Sequence, residues 1–518
     1  MPGRKGTGRT ARQARGRSAR QGLSAKKPTS RRGRRATPLS GMANIRHIVV
    51  VMLENRSFDN MVGWLYSGQG NRPPINLPAK PVPTYDGLTP GLWNPDASNK
   101  PVPVRKGTDG PHPWLVPKPD PHELFDHMKF QMCQTGPTPT MMGFVQDYAT
   151  VPGNKAPNSI MECYTPEQVP VLSALAKSYA ICDRWFASVP CQTWPNRAFV
   201  HAGTSCGRVN NCNGNVDDCV PDPLYYDTRT IFNFLEDIGT SWKVYNDSVL
   251  MSLTRAQFIA RLGDPFLEGH FHGFGQFKLD ALNGALPAYS FVEPSFVFQP
   301  NDEHPPHDVR PGERLLYEVW TALSRGKRWR NTLLVITYDE HGGCFDHVKP
   351  PDTATKPDNS KPQQPFDFRR YGVRVPAVLV SPYIEAGTVF RSASPAIEYD
   401  HTAILATLRD WADPKGRHLD KMPKSARIKL APKLDMVLTR ATPRQDLPAI
   451  PRPPGMELAA AEFAVAPETR LNSIQKAIIA ASMAQHRGAK PGDRAIRREV
   501  YERVKTHADA LGFLKELL

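Results

Sequence analysis

The run Ile-Arg-His-Ile-Val-Val-Val-Met-Leu at residues 45–53 constrains this 518-residue chain more than any other feature. It is almost continuously apolar and β-branched. A strand with one wet face would alternate, so this run suits a parallel strand buried on both faces. Similar runs recur at residues 242–245, 288–292, 332–338 and 375–380, with helical patterns at 169–179, 230–238, 312–323 and 402–411. Strands alternating with helices over this length predict an α/β fold, a doubly wound, mostly parallel sheet flanked by helices. Residues 66–120, rich in Pro, Gly and Asn, read as a long loop excursion. The chain turns Pro-rich near residue 426 and then helical at 471–485 and 494–517. The expected organisation is therefore a tail at 1–42, a main domain at 43–425, and a linker with a small helical appendage at 426–518.

The formal charge is +16, but thirteen Lys or Arg and no acid lie in residues 1–36, which leaves +3 for the other 482 residues. A segment of Gly, Ser, Thr, Arg and Lys cannot bury enough apolar surface to fold, so the tail is expected to be disordered. It could adhere to an anionic membrane surface, with nucleic acid the less favoured partner, or it could be an idle extension before a start at Met42. There is no 18-residue apolar run, so no membrane-spanning helix is expected. The arginine pairs Arg31-Arg32 and Arg34-Arg35 lack the apolar stretch of an export signal. The expected location is cytoplasmic or peripheral, with non-standard export left open. Eight cysteines are too few for a disulfide scaffold. Cys206, Cys212 and Cys219 share a polar loop without a Cys-x-x-Cys pair, which argues against zinc and leaves room for one local disulfide.

Open α/β sheets bind ligands at the carboxyl ends of their strands. The strand at 45–53 runs into Glu54-Asn55, and the strand at 332–338 into Asp339-Glu340-His341-Gly342-Gly343. Either group alone could cap a helix. Two strands that each release adjacent oxygen ligands suit a divalent cation, whose charge the carboxylates offset. The paired glycines allow a sharp turn and close approach to a substrate. Thr193 lies in a proline-bounded turn at a helix start, where the dipole and a cation could stabilise its alkoxide; it could equally be a plain N-cap. Cys191 is a rival nucleophile that no Cys/His pattern singles out. His122, in Asp-Pro-His-Glu, and His304, in Asp-Glu-His-Pro-Pro-His-Asp, are candidates for proton transfer and charge stabilisation. His347 and His401 each follow an Asp and could form structural pairs with it.

Together the segments HIVVVMLENRSFDNMVGW, CDRWFASVPCQTWPNRAFVHAGTS, NDEHPPHDV, TYDEHGGCFDHVKPP and GVRVPAVLVSP resemble the phosphoesterase family of bacterial phospholipases C and acid phosphatases, closest to its non-specific phospholipase C branch. The resemblance is collinear from about residue 45 to 408. It implies an alkaline-phosphatase-like fold and hydrolysis through a covalent phospho-enzyme, which would make 43–425 the catalytic domain. Carried over residue by residue, Glu54, Asn55, Asp339 and Glu340 would hold one divalent metal ion together with Thr193, the nucleophile. His122 and His304 would surround the phosphoryl group, and Asn196, Arg197 and His307 are candidates to bind the substrate. The expected substrate is a phospholipid, cleaved to diacylglycerol and a phosphorylated head group, with a soluble phosphomonoester as the alternative. A binding protein that has lost catalysis is disfavoured because the site residues are intact.

Overall fold

The structure is a computed structural model. It describes residues 41–518 apart from 111, 135, 215, 217, 247–249, 395, 459–462, 464, 491 and 518, so the expectation for the basic tail lies almost wholly outside the described residues. The described residues from Gly41 onward belong to one compact unit, including the C-terminal helices.

Nine of the described strands form one sheet: β1 (His47–Leu53), β2 (Ile75–Leu77), β3 (Ala180–Cys182), β4 (Trp242–Asn246), β5 (Phe271–Gly273), β6 (Tyr289–Glu293), β7 (Thr332–Tyr338), β8 (Ala377–Val380) and β9 (Thr388–Phe390). Their order is β2-β9-β3-β8-β7-β1-β6-β4-β5. All neighbours are parallel except β8, which runs against both β7 and β3. The mostly parallel α/β sheet expected of the apolar runs is therefore present. Val49, Val50, Val51, Met52 and Leu53 of the central β1 have no exposed surface, as a strand covered on both faces requires. The excursion at 66–120 is more ordered than its composition indicates, since residues 75–77 supply β2 at the sheet edge. Turn-rich composition does not exclude a short strand where an edge offers free partners.

The helices used below are α1 (Phe58–Val62), α2 (Pro170–Ser178), α3 (Thr193–Ala202), α4 (Ile231–Asp237), α5 (Val309–Arg325), α6 (Thr402–Ala412), α7 (Ser473–His486), α8 (Arg494–Arg503) and α9 (His507–Leu517). Helix α3 packs against α4 and α6, and α5 packs against α2. Glu313 of α5 is fully buried and accepts the Val171 and Leu172 N–H groups of the first turn of α2 at 2.6 and 2.9 Å, which satisfies donors that a helix start leaves open. Helix α7 contributes Leu471-adjacent apolar residues Ile474, Ile478, Ile479 and Met483 to the main core. Its start carries a capping box between Asn472 and Gln475. Cys212 and Cys219 form the local disulfide, and Cys206 is free. No helix among the described residues is long and apolar enough to cross a membrane.

Candidate active site

The site begins with the register of the two central strands. β1 and β7 pair in parallel with Leu53 opposite Tyr338, so Glu54 and Asp339 leave the sheet side by side. The Asn55 N–H donates to Asp339 Oδ1 at 3.0 Å, and the Glu340 N–H donates to the same oxygen at 2.8 Å. Asn55 adopts a left-handed φ of 55°, a conformation asparagine tolerates better than most residues. The Gly342–Gly343 turn then folds back onto this loop. A Cβ on Gly342 would lie 2.1 Å from the Asn55 carbonyl oxygen, and one on Gly343 would lie 2.6 Å from Pro121 Cβ. The close approach expected towards a substrate is thus made to the protein's own chain, and it locks the two strand ends together.

Thr193 is the first residue of α3, and its Oγ1 lies 3.5 Å from Glu54 Oε2 and 3.4 Å from Asn55 Oδ1. In that first turn the Trp194 N–H is taken by Asn211 Oδ1 at 2.9 Å, and Pro195 has none. Asn55 donates its Nδ2 to Glu123 Oε1 at 2.5 Å, which turns its amide oxygen towards Thr193. Arg197, one helical turn along α3, holds Glu54 Oε1 through Nε at 2.8 Å and Nη2 at 2.6 Å. Glu54, Asn55, Thr193, Arg197, Asp339 and Glu340 are all 1% exposed or less.

Burial raises the carboxyls of Glu54, Asp339 and Glu340; Asp339 adds to the effect on Glu54, and Glu123 and Asp339 add to it on Glu340. Asp339 Oδ2 and Glu340 Oε1 are buried without a hydrogen-bond partner among the described residues. Such orphaned carboxylate oxygens are costly unless something cationic faces them. With the Asn55 oxygen and the Thr193 hydroxyl they make a hard oxygen set of the kind that fits a divalent cation. The residues that could hold one are therefore Glu54, Asn55, Thr193, Asp339 and Glu340.

The two histidine loops meet beside this cluster. His304 Nε2 lies 3.5 Å from Glu123 Oε1, and its Nδ1 lies 2.5 Å from the Pro305 carbonyl. The Nδ1–H therefore donates to Pro305, and the neutral ring carries its lone pair at Nε2. Burial pulls the His304 pKa down to about 4, so that lone pair is available near neutral pH. His122 stacks on His127 with ring centroids 3.9 Å apart, and burial followed by the charge of His127 lowers its pKa. His122, Glu123 and His304 line one cavity of about 550 Å³. His307 turns to Asp302, with Nδ1 2.7 Å from Oδ1. Asn196 spends its amide on the turn before Thr193, accepting from the Val189 N–H and donating to the Cys191 carbonyl at 2.6 Å.

Three further residues shape the site. Glu123 bridges Asn55 and His304; it directly follows His122 in the Asp-Pro-His-Glu segment, which was the available signal. His401 does not pair with the preceding Asp400 side chain. Trp185 Nε1 donates to its Nδ1 at 3.3 Å, and its Nε2 donates to the Asp339 carbonyl at 2.6 Å, which fixes the tautomer and the Asp339 backbone. His347 likewise pairs with Asp59, at 2.6 Å, rather than with the preceding Asp346. Asp59, Asp346 and His347 could face a common cation, but Arg374 already binds both carboxylates at 2.9 and 3.0 Å, so the cluster is a closed ion-pair network. That network ties α1, and with it the Glu54–Asn55 loop, to the segment after Gly343.

Residues 45–412 match the phosphoesterase family. Non-specific phospholipase C6 of Arabidopsis thaliana is 35% identical over 417 residues, covering 78% of this chain and 74% of that protein. Phospholipase C B of Mycobacterium tuberculosis is 28% identical over 422 residues, covering 72% of this chain and 74% of that protein. A crystal structure of a protein in the alkaline phosphatase superfamily from Vibrio parahaemolyticus aligns over 47% of this chain and 60% of that chain, with 10% identity and a TM-score of 0.30.

Proposed function

The chain belongs to the phosphoesterase family and is a hydrolase of phosphoric ester bonds, and we propose that it is a phospholipase C that works through a Thr193 phospho-enzyme. The observation that carries this reading is the Thr193 hydroxyl at the start of α3, between Glu54 Oε2 and Asn55 Oδ1. The phospholipid substrate is supported by the phospholipase C relatives in plants and mycobacteria.

Glu54, Asn55, Asp339 and Glu340 would hold one divalent metal ion with Thr193. When bound, that ion supplies Lewis acidity: it favours loss of the threonine proton and offsets phosphate charge. Thr193 Oγ1 then attacks phosphorus, and the bond from phosphorus to the diacylglycerol oxygen breaks. His122, neutral before the attack, takes the threonine proton and delivers it to that departing oxygen, and His304 lines the space that the transferring group occupies. Water next attacks the phosphothreonine. Its hydroxyl goes to phosphorus, its remaining proton restores the Thr193 hydroxyl, and the phosphorylated head group leaves. Arg197 and Asn196 act here by position: the first opposes the upward shift of the Glu54 carboxyl and aims it, and the second shapes the turn that presents Thr193.

Three assays test the reading. Thr193→Ala should lower turnover of a choline phospholipid by at least about a thousandfold with an unchanged melting temperature, a loss of the size expected for a nucleophile. Wild-type protein quenched during turnover should carry phosphate on Thr193 by mass spectrometry. Exhaustive chelation should abolish activity, and a divalent cation should restore it. Near wild-type turnover by Thr193→Ala would sink the mechanism. Hydrolysis of a simple phosphomonoester in place of the phospholipid would leave the mechanism standing and reassign the chain as a phosphomonoesterase.

A further inference from the structure

The cavity that holds His122, Glu123 and His304 has a second wall, built by residues beyond the family match. Arg470, the start of α7 and Lys505 line the same 550 Å³ space. Among the described residues this wall carries three cations, Arg470, Lys476 and Lys505, beside the carboxylate of Asp218, while Lys118, Asp120 and Glu123 line the rest of the space. Burial alone would raise the Asp218 carboxyl. The bound Lys476 ammonium overrides that, and Lys505 and Arg470 add to its field, so the group is held below its ordinary value. All three cations therefore act on one place, and Lys476 alone is matched to the carboxylate.

The other two are free to meet a ligand. Arg470 is exposed and Lys505 half-buried, with its ammonium 4.0 Å from the centroid of the Tyr501 ring. Neither forms an ion pair with a described residue. The start of α7 faces the same space through Asn472 and Ser473, so its first-turn N–H dipoles add to the positive potential. The helix is held in place by Asn211, whose Nδ2 donates to Ser473 Oγ at 3.0 Å, and Asn211 also binds the Trp194 N–H beside Thr193. The cationic wall is thus hydrogen-bonded to the start of α3.

We propose that Arg470 and Lys505 form an anion subsite in the substrate cavity, and that the preferred substrate is a phosphodiester whose head group carries an additional negative charge. This rests on the phospholipase C reading, because there the head group stays on phosphorus after diacylglycerol leaves and must sit in this cavity. A choline head group, a fixed cation, would meet like charge at this wall.

The test uses the full-length protein and three short-chain, fully dissolved substrates: phosphatidylcholine, phosphatidylinositol and phosphatidylinositol 4-phosphate. The last two differ only in the added phosphate. Wild type should favour the phosphorylated lipid over phosphatidylinositol in kcat/KM, mainly through KM. Two unit charges about 4 Å apart in water attract by about 1 kcal/mol, roughly a fivefold effect. Arg470→Ala and Lys505→Ala should therefore each shrink that ratio about fivefold, and Arg470→Glu should shrink it further, with melting temperatures unchanged. Wild type with no preference, or variants with an unchanged ratio, would overturn the subsite. The same holds if the variants lose activity only on vesicles that contain anionic non-substrate lipid, because the cations would then be a membrane contact. Hydrolysis of a phosphomonoester but of none of the three lipids would instead overturn the phospholipase reading, and the subsite with it.

Discussion

Arg197 shows how closely the proposed metal site and the stability of the fold are joined. Its guanidinium is 1% exposed, grips Glu54 with two nitrogens, and also donates to the Met52 carbonyl at 3.2 Å. Removing one partner of a buried pair leaves an uncompensated charge, at a cost of about 3–5 kcal/mol. Arg197→Met should therefore lower unfolding stability by about that amount, measured by urea denaturation, and should lower the bound metal per chain measured on the same preparation. Unchanged stability and metal content would contradict this account. At this scale the sequence identified the polar residues but not their partners. Glu54, Asn55, Thr193, Asp339 and Glu340 were legible because motifs at strand and helix ends marked them. Glu123 was not given a role, because its bond to Asn55 spans 68 positions.

At the scale of elements, α2 and α5 are joined by a carboxylate in an apolar setting. Burial pushes Glu313 up to about 7 from an ordinary value near 4.5, and the two α2 N–H groups only partly oppose that. The folded-state pKa is raised, so this stability is fully present below about pH 4.5 and is lost as pH rises through 7. A shift of that size corresponds to about 3 kcal/mol. Glu313→Gln does not titrate. The difference in unfolding free energy should thus move towards the variant by up to about 3 kcal/mol between pH 4.5 and 8, in paired urea titrations. A difference that stays flat with pH would contradict this placement of Glu313. The apolar run that makes β1 was readable from its composition, and so was the amphipathic pattern of α5. The direction of β8 was not, because an all-apolar run looks the same whichever way it pairs.

For the whole molecule, the strongest charge asymmetry lies at the N-terminus, before the first described residues. The described chain opens with Gly41, whose N–H donates to the Leu438 carbonyl at 3.0 Å. A protein beginning at Gly41 should keep its melting temperature and its turnover of a dissolved substrate. Basic residues near an anionic surface contribute about 1 kcal/mol each, an attraction that salt screens. Binding of the full chain to phosphatidylserine vesicles in a sedimentation assay should therefore exceed that of the shortened protein and fall as salt rises. Equal binding by both would remove any membrane role for the tail.

The sequence by itself determined the layered α/β architecture, the strand ends that release oxygen ligands and the hydroxyl at a helix start. Each is written locally, in hydrophobic period, in motif spacing or in a turn. Tertiary structure alone decided what depends on register and long-range contact. The pairing of Leu53 with Tyr338 sets Glu54 beside Asp339, and the Gly342 turn presses on Asn55. His401 belongs to the Asp339 carbonyl rather than to Asp400, and a C-terminal segment more than 150 positions from His304 lines the cavity of His122 and His304 with cations. The reason is physical: periodicity and propensity act over a few residues, whereas a site of buried like charges exists only where the folded core forces distant groups together.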